Sequence, residues 1–296
     1  MTAILILLLC VLASSKVVLQ SRFGKKAVQT AADAVVFNGM IFLGAGLLYL
    51  PALFVSPVGP VTLWYGLAQG FFGVLFQLTY IQALAAGPVS LTILFANFAM
   101  IIPLVHSALF YGEPFGVLRV VGTALALTAI ALNVNLRHDA ALASAGKVFD
   151  RRRWAFLMVL TFFFSGLLAI LQKLYAKAGV AGENAGYIAV TYLPAALFSL
   201  LLYAGFVRAG HKKTFRLTAG VTALSLGIGA ILGTFLFFMI RAAASIDGTL
   251  LYPAYNGGTM LLVTLSGVLL FRERLTRRQW LSVAVGTAAI LLMSLS

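Results

Sequence analysis

Long apolar runs separated by short charged connections dominate this chain, and the run from Gly248 to Phe271 shows the pattern most clearly. It contains 24 uncharged, mostly apolar residues, the charged connection FRERLTRRQW (Phe271–Trp280) follows it, and a second apolar run then reaches the C-terminus. A helix of that length spans about 36 Å, more than the ~30 Å hydrocarbon core of a bilayer. The pattern therefore predicts a membrane helical hairpin.

Polar side chains recur along one side of the first helix of this hairpin. They fall at helical spacings of three, four and seven residues, and they are Tyr252, Tyr255, Asn256, Thr259 and Ser266. Lipid offers polar groups no hydrogen-bond partner, so a stripe of this kind must face protein or water. It indicates a solute pathway, with hydrogen bonding between helices as the alternative role.

The same alternation of apolar runs and turns predicts ten helices. Their ranges are Ala3–Ser21, Ala34–Val55, Thr62–Ala85, Pro88–Phe110, Phe115–Leu136, Trp154–Ala176, Asn184–Arg208, Leu217–Ala244, Gly248–Phe271 and Arg278–Leu295. The turn dipeptide Gly87-Pro88 alone separates the third helix from the fourth. Lys16 follows the first apolar run and no positive charge precedes it, so we expect this run to be a retained helix and not a signal peptide.

The two halves of the chain repeat. A shift of 160 residues places Gly87-Pro88 on Asp247-Gly248 and Glu113 on Glu273. Because five helices per half is an odd number, the second half enters the membrane from the opposite side, as in the inverted repeats of transporters. We predict an all-α integral membrane fold with ten transmembrane helices in two inverted five-helix repeats, over residues 1–136 and 154–296, joined by a charged linker over residues 137–153.

Composition excludes several other classes of protein. The chain is 62% hydrophobic and 9% charged, with a mean hydropathy of +1.04, which does not suit a soluble domain. The net charge of +14 is dispersed over short connections, so we expect no nucleic-acid surface. The single cysteine, Cys10, excludes an intrachain disulfide and a cysteine-based metal site. With three scattered histidines and no G-x-S-x-G or H-E-x-x-H motif, we expect neither catalysis nor a cofactor.

This organisation resembles the drug/metabolite transporter superfamily, and specifically its EamA-like branch. The resemblance rests on ten helices in two repeats with a glutamate after the fourth helix of each, in Tyr111-Gly112-Glu113-Pro114 and in FRERLTRRQW. It covers the whole chain and implies a transporter, but it gives almost no information about the substrate. The sequence departs from the family pattern at Ser282, where a glycine is usual and where the first repeat has Gly122.

The basic residues predict the orientation in the membrane. Sixteen of them fall in the connections after predicted helices 1, 5, 7 and 9, and only four lie towards the other side, namely Arg119, Lys173, Lys177 and Arg241. By the positive-inside rule the first side is cytoplasmic, which puts both termini outside a bacterial plasma (inner) membrane. The resemblance implies cytoplasmic termini instead, and we follow the charges.

Predicted helices 4 and 9, which correspond in the two repeats, supply the candidate binding residues. Tyr252, Tyr255, Asn256 and Thr259 of helix 9, with Ser90 and Asn97 of helix 4, are expected to line a cavity for a polar or cationic ligand. His106, near the end of helix 4, is a candidate for proton coupling, with a purely structural histidine as the alternative.

Charged residues complete the set of candidates. Lys16, inside the first helix, either faces the cavity and holds a substrate carboxylate or extends to the cytoplasmic surface. Lys173 and Arg241 lie nearer helix ends and are expected to reach the membrane surface. For Glu113 and Glu273 we expect structural roles at helix ends, because a carboxylate is favourable at the positive end of a helix dipole.

Together these observations favour a secondary transporter for a small organic metabolite such as an amino acid, with export as its direction. A lipophilic-cation exporter and a non-transporting membrane subunit are the alternatives. We expect the organic solute and the lipid bilayer as partners, no metal, and a monomer or weak homodimer.

Overall fold

The computed structural model describes residues 2–27, 30–55, 57–87, 89–132, 151–178, 180, 182–209, 215–271 and 276–294. Within these ranges the chain forms helices and no strand, which confirms the predicted all-α class. The helices are α1 (Thr2–Ala27), α2 (Ala31–Tyr49), α3 (Ala52–Val55), α4 (Pro60–Ala86), α5 (Val89–Phe98), α6 (Ile101–Tyr111), α7 (Val117–Leu132), α8 (Arg151–Lys177), α9 (Asn184–Arg208), α10 (Ala219–Ser245), α11 (Gly248–Phe271) and α12 (Arg277–Ser294).

Length and apolar composition qualify seven segments of the described chain to cross a membrane. These segments lie in α1, α2 with α3, α4, α5 with α6, α8, α9 and α10, and α7 is a shorter apolar helix. The helix with the polar stripe, α11, is a 24-residue helix without a charged residue. The chain is an integral multi-pass membrane protein, and the inverted relation of its two halves stays a prediction.

The fourth predicted helix is interrupted, which the apolar pattern did not indicate. It consists of α5 and α6, with a turn at Ala99 and Met100. Pro103 has no backbone N–H, so it cannot donate the helical bond to the carbonyl of Ala99. That carbonyl accepts instead from the N–H of Ile102 at 3.1 Å, and the hydroxyl of Ser165 on α8 donates to the carbonyl of Ala96 at 3.4 Å.

Two compact units divide the chain. Unit 1 contains residues 1–14, 82–170 and 245–296, and unit 2 contains residues 15–81 and 171–244. Each unit therefore draws helices from both predicted halves of the sequence. Four helices contribute residues to both units, namely α1, α4, α8 and α10, the last through Ser245 alone. The boundaries proposed for the two sequence repeats stay a prediction.

Unit 2 is built on α2, α4, α9 and α10, and glycine allows the close approach of its helices. A Cβ at Gly66 would lie 3.4 Å from the carbonyl oxygen of Tyr187 on α9, and a Cβ at Gly70 would overlap the carbonyl oxygen of Thr191. Gly229 on α10 meets the backbone of α2 in the same way. The buried core around these contacts includes Phe37, Ile41, Ile188, Ile228 and Leu236.

Two side-chain hydrogen bonds join helices within unit 1. The indole of Trp154 on α8 fills the space beside Gly87 and donates to the hydroxyl of Thr92 at 3.0 Å, which fixes the corner between α4 and α5. On α12, Ser282 stands where the family pattern has glycine, and its hydroxyl donates to the carbonyl of Ala129 on α7 at 2.7 Å.

Gly70→Ala is expected to lower the melting temperature of the detergent-purified protein, because its methyl group would overlap the backbone of α9. Overpacking of this kind costs about 1–3 kcal/mol. Gly73→Ala is the matched control: it lies on the same helix with no atom within 4 Å of the added Cβ. The control should be neutral or slightly stabilising, since alanine favours helix by about 1 kcal/mol over glycine. Equal melting temperatures for the two variants would contradict the close packing of α4 on α9.

Candidate functional site

Helix α11 contacts several other helices of unit 1 through its N-terminal half. The thiol of Cys10 on α1 lies 3.6 Å from the carbonyl oxygen of Tyr255, and Gly258 leaves the room that this thiol occupies. Gly248 packs against the side chain of Ser107 on α6, and Gly257 faces α7. Glycine at these positions lets α11 lie close to its neighbours, so its polar stripe is held in a fixed orientation within the unit.

The predicted stripe residues differ in burial and in their hydrogen bonds. Tyr252 is 1% exposed, and its hydroxyl donates to the carbonyl of Ala169 on α8 at 3.0 Å. Asn256 is half-buried, and its amide nitrogen donates to the carbonyl of Tyr252 at 2.8 Å. Tyr255 and Thr259 are also half-buried. Tyr252 therefore joins two helices, while Tyr255 and Asn256 keep part of their surface accessible.

The candidates on predicted helix 4 are distributed over α5 and α6. The amide nitrogen of Asn97 donates to the carbonyl of Ile93 at 2.8 Å, one turn earlier on the same helix. His106 stacks on the ring of Phe110 at 4.8 Å between centroids and meets the edge of Tyr111 at 5.6 Å. The side chain of Ser90 and the whole of Glu273 lie outside the described residues. The expected binding role of Asn97 and coupling role of His106 stay predictions.

Glu113 lies at a helix end, as expected, and the helix that it caps is distant from it in sequence. Its carboxylate accepts the N–H of Gly248, so it caps the start of α11 and not that of α7. The first N–H groups of a helix lack partners within the helix, and the positive end of the dipole favours a carboxylate there. The side chain of Glu113 is only 9% exposed.

Arg119 and Asp247 form a polar cluster at the same place. The guanidinium of Arg119 donates to the carboxylate of Asp247 at 2.9 Å, to the hydroxyl of Thr249 at 2.7 Å and to the carbonyl of Pro114 at 2.9 Å. The sequence pattern counted Arg119 only as a cation near the membrane surface. The predicted topology nonetheless contained a signal for this cluster. It places the connections after predicted helices 4 and 8, which contain Glu113 and Asp247, on one side of the membrane.

The intramembrane lysines lie in unit 2. Lys16 on α1 is half-buried, which is compatible with either of its two expected roles. Lys173 on α8 is 1% exposed, so it does not extend to the surface as expected. Arg241 is exposed, and its guanidinium lies 4.5 Å from the centre of the Phe237 ring, where cation–π attraction holds it.

Glu113→Gln is expected to lower the melting temperature of the purified protein, because a neutral amide is a weaker acceptor at the start of α11 than a carboxylate. The loss of a helix cap costs about 1 kcal/mol. Transport by the variant should keep the pH dependence of the parent. A variant of unchanged stability that has lost its pH dependence would refute the structural role and assign Glu113 to proton coupling.

Comparison with known proteins agrees with the helical and membrane character of the chain. No curated protein matches it in sequence. One protein of known crystal structure is similar over 97% of this chain and 98% of its own chain, with a TM-score of 0.69. The two sequences are 17% identical, so this similarity shows the fold alone. The model of the EamA-like transporter family matches residues 1–135. The family resemblance seen in the sequence is thus confirmed over residues 1–135, which are similar to the EamA-like transporter family.

Proposed function

We propose that the protein is a secondary transporter that moves a small organic metabolite across the membrane by alternating access. An amino acid or a similar compound is the proposed solute, and export is the proposed direction. The family match over residues 1–135 supports transport of a small solute. The helices long enough to cross a bilayer, together with a helix that carries polar groups among them, support a pathway through the protein.

The observation that carries this proposal is that the polar side chains of Tyr255 and Asn256 on α11 are only half-buried. Both side chains are half-buried in a helix that is closely packed on α1 and α7 through Gly257 and Gly258. The accessible part of each side chain is surface that a bound solute can contact. An aromatic ring beside an amide suits a ligand with both an apolar body and a hydrogen-bonding group.

The positions of the acidic side chains restrict the ways in which transport can be coupled to a proton. In the part of the chain that the structure describes, the acidic side chains lie at helix ends or in connections, at Asp33, Glu113, Glu183 and Asp247. Among these residues a carboxylate deep in the membrane is absent, so His106 is the remaining candidate for proton transfer near neutral pH. Facilitated diffusion or exchange therefore stands beside proton antiport as a mechanism.

The charge on the solute separates this proposal from its alternative, export of a lipophilic cation. If Lys16 faces the solute, its ammonium attracts a carboxylate and repels a cation. A screen of metabolites for ligands that raise the melting temperature of the purified protein identifies the solute, because a ligand of the folded state stabilises that state. A protein that no solute stabilises, and that transports none in liposomes, would be a structural subunit instead.

Tyr255→Ala and Asn256→Ala are expected to reduce transport of the identified solute in liposomes by about tenfold or more, if each side chain supplies about 1.4 kcal/mol of binding or barrier lowering. Both variants should fold. Leu269→Ala is the control on the same helix: that side chain is 77% exposed, and its loss should leave transport unchanged. Undiminished transport by the double variant of Tyr255 and Asn256 would place the binding site elsewhere.

Both termini are expected on the extracytoplasmic side, because 16 basic residues lie on the other side and four on this one. One of the four, Arg119, is moreover neutralised by Asp247. A C-terminal reporter that is active only in the cytoplasm should give no signal in cells, while the same reporter inserted at residue 145, in the charged linker, should give a strong one. The reverse result would invert the topology without changing the fold.

A further inference from the structure

Three tyrosines form an aromatic group within unit 2, where α4, the end of α8 and the start of α9 meet. The ring of Tyr175 on α8 stacks on that of Tyr187 on α9, with 3.9 Å between centroids, and Tyr65 on α4 lies 6.2 Å from Tyr175. The hydroxyls of Tyr175 and Thr62 are hydrogen-bonded at 3.2 Å. This tyrosine hydroxyl is therefore satisfied inside the protein.

Other polar groups beside this stack are buried without a well-formed hydrogen bond in the described chain, and the side chains of two of them, Tyr187 and Thr191, lie near each other. They are the carbonyl oxygen of the Gln69 side chain, the hydroxyl of Tyr187 and the hydroxyl of Thr191, on residues that are 5%, 0% and 1% exposed. A buried polar atom without a partner destabilises the folded state, and lipid cannot supply the missing bond. Three such atoms in one region indicate that a ligand completes them.

Helix register places these three groups at one crossing of α4 and α9. Gly66 meets the carbonyl of Tyr187, and Gly70 meets the carbonyl of Thr191, so the helix backbones are in contact at both levels. Gln69 lies between the two glycines on α4. Tyr187 and Thr191 are one turn apart on α9 and project from the same side of it.

The chemistry of this cluster selects a cation that carries N–H donors. The side-chain carbonyl of Gln69 can only accept hydrogen bonds, hydroxyl oxygens also accept them, and tyrosine ring faces attract cations. Glu183 adds a negative charge one turn before Tyr187, where its carboxylate accepts the N–H of Gly59 at 2.9 Å. Lys173 is the nearest buried cation in sequence, and its position two residues before Tyr175 puts it about 200° away around α8.

We propose that Gln69, Tyr187 and Thr191 form a binding site for a primary ammonium group, flanked by the tyrosine stack. The site belongs to unit 2 and shares no residue with the stripe of α11. It is defined by binding and not by transport, so its failure would leave the transport proposal unaffected, and failure of transport would leave the site intact.

The site is tested by measuring the melting temperature of the purified full-length protein at increasing concentrations of ethylammonium. Ethylammonium should raise the melting temperature, while tetramethylammonium, which has the same charge and no N–H donor, and acetate should not. Tyr187→Phe and Thr191→Val should each weaken the apparent affinity for ethylammonium by about tenfold or more. Without ligand both variants should melt at a higher temperature than the parent, because an unsatisfied buried hydroxyl has been removed.

Tyr175→Phe is the matched control, since it keeps the stacked ring and removes a hydroxyl that already has a partner. It should lower the melting temperature and keep the ethylammonium affinity within about twofold. Gln69→Met, on another helix, tests the site independently where an α9 variant does not accumulate. Loss of the ethylammonium shift in the variants of Gln69, Tyr187 and Thr191, with the shift retained in Tyr175→Phe, supports the site. The proposal is overturned if ethylammonium has no effect on the parent, if tetramethylammonium or acetate acts equally, or if the variants melt lower with an unchanged shift, which would indicate a bound water.

Discussion

Lipid cannot form hydrogen bonds, and this constraint governs where polar side chains occur in the described helices. Many polar side chains inside the described helices donate to a carbonyl of their own helix, one turn earlier, and a few donate to a backbone carbonyl of a neighbouring helix. Tyr252 donates to Ala169 in this way, and Ser282 donates to Ala129. Each such bond fixes the rotation of one helix against another, because a small turn would leave the donor in hydrocarbon without a partner. Polar residues thus determine the packing of helices whose surfaces are otherwise uniformly apolar.

The same constraint applies at helix ends, where carboxylates accept hydrogen bonds from backbone N–H groups. Glu113 accepts the N–H of Gly248 at the start of α11 in unit 1, and Glu183 accepts the N–H of Gly59 just before α4 in unit 2. In both cases the acid comes from a connection that is distant in sequence, so the bond joins the two halves of the chain as well as satisfying a helix end. Acids used in this way are engaged in structure, so His106 and the intramembrane lysines Lys16 and Lys173 are the candidates for any coupling of transport to an ion.

Unsatisfied polar groups are consequently more informative than polar groups in general. Most of the hydroxyl and amide groups described above have a hydrogen-bond partner, and those bonded to another helix contribute to the packing of the helices. Gln69, Tyr187 and Thr191 depart from this rule within one helix crossing. A protein that must hold a solute briefly and then release it needs donors and acceptors that its own fold does not use. The distinction between satisfied and unsatisfied groups therefore separates the scaffold from candidate binding sites.

Hydropathy along the chain was sufficient to determine the helical class and the membrane location, because a helix of about twenty apolar residues is stable in a bilayer irrespective of its neighbours. The family resemblance over the first half also followed from the sequence, through the glutamate after the fourth helix. The break between α5 and α6, the burial of Lys173 and the helix that Glu113 caps required the tertiary structure. These depend on which helices lie side by side, and the periodicity of a single helix shows which residues share a face without showing what that face contacts.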